Sequence, residues 1–366
     1  MNTRFKNEKI KRSYLKSLRE ARGFAPATVV AIEREISRWE EFSENEDYGR
    51  FTAKKAVAFK KFLEDKGSGG KPLSANSRYH CLHHLKQFFG WLSTQPGYRS
   101  KISTDAISYL TLDRKTVQSI SSPLQPKWPS LEYVKELVAS IDPLTEQDRR
   151  DRALIAFLLL SGMRDKAVVT LPLGCFDPES LEVRQRPSEG VDTKFGKSFQ
   201  TVLLPFDDDL LEVVKNWSHY LRTEKLFSNT DPLFPQTKVN QSEHKLSFES
   251  AGVKPSFWGG TGSIRDILKS RALKAGLAYY YPHSFRHAHV HLAMRSARSA
   301  EEIRAISQNI GHENIGTTLT TYGKLDEYRV GEVVRQLHLR ADDSEDLSET
   351  ERAALEKLLR RKRGVS

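Results

Sequence analysis

The chain has 366 residues, with 38% hydrophobic residues and 58 lysines and arginines against 47 aspartates and glutamates. That length allows two domains with separate cores, and the apolar runs are too short to cross a membrane. A net charge of +11 favours a polyanionic partner, and two cysteines, Cys81 and Cys175, exclude a disulfide framework and suit a reducing compartment.

Residues 1–23 hold eight lysines or arginines against two glutamates, with no apolar signal region, and read as a basic N-terminal segment of a chain that is not exported. From 24 to 112 the pattern is helical. Ile32, Ile36, Trp39 and Phe42 recur at helical spacing, then Val57, Phe59, Phe62 and Leu63. Gly67-Ser68-Gly69-Gly70 breaks the run. Lys71 follows it, but the spacing and Pro72 argue against a phosphate-binding P-loop. After Ser74, a good helix start, Leu82, Leu85, Phe88, Phe89 and Leu92 form another apolar stripe. His80 and His84 share a face of this helix, but no second ligand pair of comparable spacing accompanies them, so no metal site is read here. Residues 113–129, with Ser119, Ser121, Ser122, Pro123, Pro126 and Pro129, read as a linker.

Helical patterning resumes at Ser130, and residues 151–163 read as a buried helix. Residues 181–186 and 199–204 read as strands joined by the polar stretch 187–198. Helices follow from 207 to about 339, interrupted by a loop region around 227–262. Residues 341–366 form a charged tail whose helix runs from Glu349 to Arg361, with Ala353, Leu355, Leu358 and Leu359 on it. The fold class is mainly α with a small β-sheet, in two domains, 24–112 and 130–340.

Four separated segments carry residues suited to gripping a phosphate: Ser161-Gly162-Met163-Arg164, Thr193-Lys194-Phe195-Gly196-Lys197, Pro282-His283-Ser284-Phe285-Arg286-His287, and residues 310–322, which hold Gly311-His312 and end in Thr317-Thr318-Leu319-Thr320-Thr321-Tyr322. In this order they resemble the motifs of the tyrosine recombinase, or phage integrase, family: Arg, Lys, His-x-x-Arg, Gly-His, then Tyr. The resemblance runs from about residue 10 to 340. The Leu73-Ser74 helix start and the Phe88-Phe89-x-Trp91-Leu92 ending are similar to the family's helical core-binding domain.

The resemblance implies a SAM-like N-terminal domain and a mixed α+β catalytic domain forming a C-shaped clamp on double-stranded DNA. It implies a site-specific recombinase that cleaves and rejoins DNA through a 3′-phosphotyrosyl bond to Tyr322. A phosphodiester under attack gains charge on its non-bridging oxygens, and arginine forks hold such oxygens bidentately at any relevant pH. The family assigns that grip to Arg164 and Arg286, with His312 donating a further hydrogen bond. A phenol, with a pKa of about 10, needs activation; His283 is the family's proton acceptor. The leaving 5′-oxygen needs a proton, for which Lys194 is preferred to Lys197.

No cofactor and no metal are implied, because arginine and histidine supply the positive charge. The implied assembly is a homotetramer on two synapsed duplexes, with accessory DNA-binding proteins as further partners, no membrane, and a cytoplasmic, nucleoid-associated location. The tasks implied are integration, excision or transposition of mobile DNA. A type IB topoisomerase-like enzyme and a catalytically silent DNA binder fit the same residues. Many relatives have an acidic residue three positions after the first arginine; here that position is Ala167, with Asp165 a possible substitute. His289, His291, Tyr279, Tyr280, Tyr281 and Tyr328 read as packing or surface residues.

Overall fold

The computed structural model describes residues 3–65, 71–121, 127–241, 248–312 and 316. The chain divides into two compact units, Met1–Gln125 and Pro126–Ser366.

The first unit is helical in its described residues: α1 (Thr3–Glu20), α2 (Pro26–Phe42), α3 (Ala53–Asp65), α4 (Ala75–Ser93), α5 (Thr104–Ser108) and α6 (Arg114–Ser121). Pro26 opens α2, where its fixed φ suits the first turn, and the Ser74 hydroxyl caps α4 by accepting from the Ser77 amide. Trp39 is the centre of the core, with the rings of Phe42, Phe51, Phe59 and Phe89 all within 5.5 Å of it. Helix α1 lies wholly within the stretch that read as a basic segment and places Tyr14, Leu15 and Leu18 in this core. The buried Lys11 ammonium meets the Glu40 carboxylate at 2.8 Å, and the Tyr48 hydroxyl donates to the same carboxylate at 2.6 Å. The stretch that read as a linker contains α6, which packs on α4.

The second unit is built around α8. Its order is α7 (Leu131–Ala139), α8 (Glu146–Ser161), α9 (Asp165–Val169), β1 (Phe176–Asp177), β2 (Glu182–Gln185), β3 (Phe199–Val202), α10 (Asp208–Thr223), β4 (Gln236–Gln241), β5 (Phe248–Lys254), α11 (Gly262–Lys274), α12 (Pro282–Ser296) and α13 (Ala300–Asn309). Residues 153–161 of α8 are all buried, as befits a helix apolar on every side; α7, α10 and α12 pack against it. A Thr145/Asp148 capping box starts α8 and the left-handed Gly162 ends it. Strands β1, β2 and β3 form an antiparallel sheet in that order, with Val183 opposite Thr201 and Gln185 opposite Phe199.

The region around 227–262, expected to be a loop, holds the antiparallel β4–β5 pair. It is held by the start of α8. A Glu146 carboxylate oxygen accepts from the Val253 amide at 2.6 Å, the Gln147 amide donates to the Gly252 carbonyl at 2.7 Å, and Arg150 donates to the Pro235 carbonyl and the Thr237 hydroxyl. Both cysteines are buried and free. No described helix is long and apolar enough to cross a membrane.

Candidate active site

Three chain segments meet beyond the C-terminal end of α8. Gly162 closes that helix, and Arg164 follows as the residue that starts α9, its carbonyl accepting from the amides of Ala167 and Val168. Helix α12 opens with Pro282 and carries His283, Arg286 and His287 at spacings that share one face. Helix α13 ends at Asn309 and leads into Ile310, Gly311 and His312.

Arg286 ties the segments together. The residue is only 2% exposed. Nη1 donates to the Gly162 carbonyl at 2.7 Å and Nη2 to the Ile310 carbonyl at 2.6 Å, with His312 Nε2 3.1 Å from Nη2. Buried carbonyls need donors, so the arginine completes two turns while holding a positive charge between them.

Two glycines make this approach sterically feasible. Gly162 has φ +57, and a Cβ there would lie 2.6 Å from the His289 ring. His289 is fully buried, with Nδ1 2.8 Å from the Leu159 carbonyl. Gly311 has φ +69, and a Cβ there would lie 2.5 Å from the Phe199 ring. Both positions need the left-handed freedom and the missing side chain.

The turn between β2 and β3 carries Lys194. Residues Lys194–Gly196 form one tight turn, closed by the Gly196 amide on the Thr193 carbonyl and by the Thr193 hydroxyl on the Lys197 carbonyl at 2.6 Å. Phe195 is 79% exposed with φ +64, an unusual conformation for a bulky residue. The Lys194 and Lys197 ammonium groups lie 4.9 and 5.7 Å from its ring centroid. The upstream flank is fixed to α9, since the Asp192 amide donates to the Thr170 hydroxyl and the Asp192 carboxylate meets Lys166.

The site is electropositive and its imidazoles are neutral at pH 7. Desolvation, then the charges of Arg286 and Arg164, lower the His283 pKa; Asp165 opposes them and Lys194 adds to them. The same desolvation, with Arg286, Arg164 and Lys194, takes His312 to about 4. His287, its ring 4.8 Å from that of His283, is also lowered to about 4, by burial first and then by His283 and Arg286. Fixed cations beside neutral donors and acceptors suit a phosphodiester, on which charge develops during attack. Among the described residues no group of three or more histidines, cysteines, aspartates or glutamates is placed to hold a metal ion.

The phage integrase family model matches residues 130–329, more than half of the chain. The chain belongs to the phage integrase family. It is a tyrosine-type site-specific recombinase. Tyrosine recombinase XerC of Histophilus somni (strain 2336) is 25% identical over 335 residues, covering 90% of this chain and 96% of the relative. Tyrosine recombinase XerD of Haemophilus ducreyi (strain 35000HP / ATCC 700724) is 26% identical over 282 residues, covering 76% and 81%. Among solved structures, the Tn1549 transposon integrase in complex with a circular intermediate DNA superposes with a TM-score of 0.60 at 14% identity, covering 90% of this chain and 99% of that one. A lambda integrase dimer bound to a COC′ core site gives 0.59 at 12% identity, covering 87% and 98%. These likenesses show the integrase fold.

Of the residues singled out by the integrase motifs, Arg286 and His312 are in contact, and the charges of Arg164 and Lys194 bear on both His283 and His312. Tyr322 lies outside the described residues, as do Tyr328 and the tail 341–366 with its Glu349–Arg361 helix. Ala167, where many integrases have a carboxylate, is buried in the core, while the charge of Asp165 acts on His283. Tyr280 packs edge-on against Tyr133, and His291 lies against Trp128 at 4.8 Å. The motif order does not reveal Gln185, Thr201 and Asn309, which tie the sheet to the His312 segment; Asn309 stands just ahead of Ile310-Gly311-His312, and nothing in its spacing marks it.

Proposed function

We propose that the chain binds double-stranded DNA and cleaves one strand by attack of the Tyr322 phenol on the scissile phosphorus. The phosphorus–O5′ bond breaks, leaving a 3′-phosphotyrosyl link and a 5′-hydroxyl. His283, neutral at pH 7, accepts the phenol proton, and Lys194 gives a proton to the departing 5′-oxygen. Arg164 and Arg286 hold the non-bridging oxygens, with His312 as a further donor. Reverse attack by a second strand's 5′-hydroxyl reseals the backbone, so bond energy is kept.

The observation that carries this reading is the buried Arg286 guanidinium, held between two chain turns with His312 on one of its nitrogens. The surrounding charges of Arg164 and Lys194 support it. The basic excess would position the protein on phosphates while a few base contacts select the site. The two units are proposed to close on one duplex and four protomers to exchange strands between two, within the nucleoid. Integration, excision or transposition of mobile DNA is the proposed task; the integrase fold shared with a transposon integrase is in keeping with it.

The test begins with a pool of nicked duplexes of random core sequence, from which detergent-stable protein–DNA adducts are recovered. Adducts that vanish in Tyr322→Phe support the chemistry; their absence with the unmodified chain leaves a silent binder. Two copies of the recovered site on one plasmid then separate strand exchange, which deletes or inverts the interval, from relaxation by a topoisomerase-like enzyme.

A further inference from the structure

The β2–β3 hairpin and the His312 segment are joined by a chain of short polar contacts outside the residues so far given a chemical role. The Asn309 carboxamide bonds both backbone groups of Val202: the Val202 amide donates to Oδ1 at 2.7 Å, and Nδ2 donates to the Val202 carbonyl at 3.0 Å. It thereby covers the open edge of β3 as a further strand would. The Asn309 carbonyl accepts from the Thr201 hydroxyl at 2.6 Å, and Thr201 accepts in turn from the Gln185 amide at 2.6 Å. Thr201 and Gln185 are buried, so these bonds are shielded from water.

Each end of this bracket reaches the site by a short path. One residue after Asn309, the Ile310 carbonyl takes a hydrogen bond from Arg286; two residues later comes His312. In the other direction β3 runs from Val202 to Phe199, whose ring closes on Gly311, and then to the closed turn bearing Lys194. The downstream flank of the hairpin therefore hangs on the segment that presents the phosphate grip.

We propose that Asn309 is a positioning residue that fixes Lys194 against the phosphate held by Arg286 and His312. This rests on the reading of Lys194 as the proton donor to the leaving oxygen. An exposed turn fastened only at its own base would let the ammonium wander, and proton transfer falls off steeply once the donor leaves hydrogen-bond reach. Asn309 is suited to this because its carboxamide sets N–H donors and a carbonyl acceptor side by side in a single plane. Aspartate keeps the acceptor for the Val202 amide and loses the donor to the Val202 carbonyl.

The experiment compares single-turnover cleavage of two nicked duplexes carrying the recovered core sequence, one with an ordinary 5′-oxygen at the scissile bond and one with a bridging 5′-sulfur. A thiol, with a pKa of about 8.5, leaves as thiolate without a donated proton. Asn309→Ala and Asn309→Asp should cleave the oxygen substrate at least about tenfold more slowly than the unmodified chain and recover most of that loss on sulfur, in parallel with Lys194→Ala. Arg286→Lys should be slow on both. Asn309 variants equally slow on both substrates, or unimpaired on oxygen, overturn the proposal. Should Asn309→Ala not fold, the near-isosteric Asn309→Asp carries the comparison. If sulfur fails to rescue Lys194→Ala itself, the proton-donor reading falls and takes this proposal with it. If sulfur rescues Lys194→Ala and not the Asn309 variants, only the positioning role is lost.

Discussion

Nη2 of Arg286 lies 3.1 Å from Nε2 of His312. A guanidinium has donors and no acceptor, so the imidazole nitrogen accepts there. The proton of the neutral ring then resides on Nδ1, which makes that edge the donor. Nitrogen-15 shifts of labelled His312 at pH 7 should report an Nδ1–H neutral tautomer in the free protein. A dominant Nε2–H signal would break the contact and the donor assignment with it.

The desolvated imidazoles make stability depend on pH. His287, His289 and His312 have pKa values lowered to about 4, against about 6.5 for an exposed histidine. Below pH ~6.5 the unfolded chain binds protons that the folded chain refuses. Their contribution is whole above that pH and is lost progressively as pH falls through about 4. Calorimetric Tm should drop between pH 6.5 and 4, and the drop should be shallower in His289→Asn. A Tm unchanged over that window would mean that the three rings are hydrated.

Arg164 and Arg286 should differ on mutation although both are assigned to the same phosphate. Arg164→Ala should lower cleavage by roughly a hundredfold or more and leave most of the DNA binding and thermal stability, because that side chain is half-buried. Arg286→Ala should lower cleavage as much and also destabilise the fold by about 2 kcal/mol or more, since two carbonyls lose a charged donor. Urea titrations alongside adduct formation measure both. Equal stability of the two variants would contradict the bridging role.

Gly311 and Phe199 should be energetically coupled. Gly311→Ala forces a side chain into the left-handed region, at a cost of roughly 1–2 kcal/mol, and drives its Cβ into the Phe199 ring. Lower stability and slower cleavage are expected together. Phe199→Leu should be mildly destabilising alone and should relieve part of the defect in the double variant, giving a coupling of about 0.5 kcal/mol or more in a double-mutant cycle. Strict additivity would show that the two do not touch.

DNA affinity should fall steeply with salt, because a basic surface releases counterions condensed on the duplex. Binding isotherms between 50 and 200 mM salt should lose about two orders of magnitude or more. Replacing Arg12, Lys16 and Arg19, all exposed on α1, should flatten the slope without touching cleavage chemistry at saturating protein. A slope near zero in the unmodified chain would rule out phosphate contacts as the main source of affinity.

Where apolar periodicity dominates, the sequence was enough. The stripes over α2, α3 and α4 and the unbroken run in α8 are helices because nothing else buries such patterns at that length. The β4–β5 pair escaped because Gln236–Gln241 has no alternation of apolar residues, and its anchors Glu146, Gln147 and Arg150 lie about a hundred positions earlier. In residues 1–23, charge drew attention from Tyr14, Leu15 and Leu18, which are the part that folds into the core. At the site, arginines and histidines were legible through motif order. Asn309 was not, because its work is done on the backbone of a strand whose register no local pattern reports.

The double employment of Arg286 bears on how relatives are to be told apart. A guanidinium that holds two turns of the chain is retained by selection for folding, whatever becomes of the chemistry. A descendant that had ceased to cut DNA would therefore still carry it, and without His283 and Lys194 beside it the arginine certifies an intact scaffold only. His283 and Lys194 are both exposed, so a lineage that abandons cleavage can shed them at little structural cost. Those two positions, and not the buried arginine, are where a genome survey should look to separate working enzymes from retired ones.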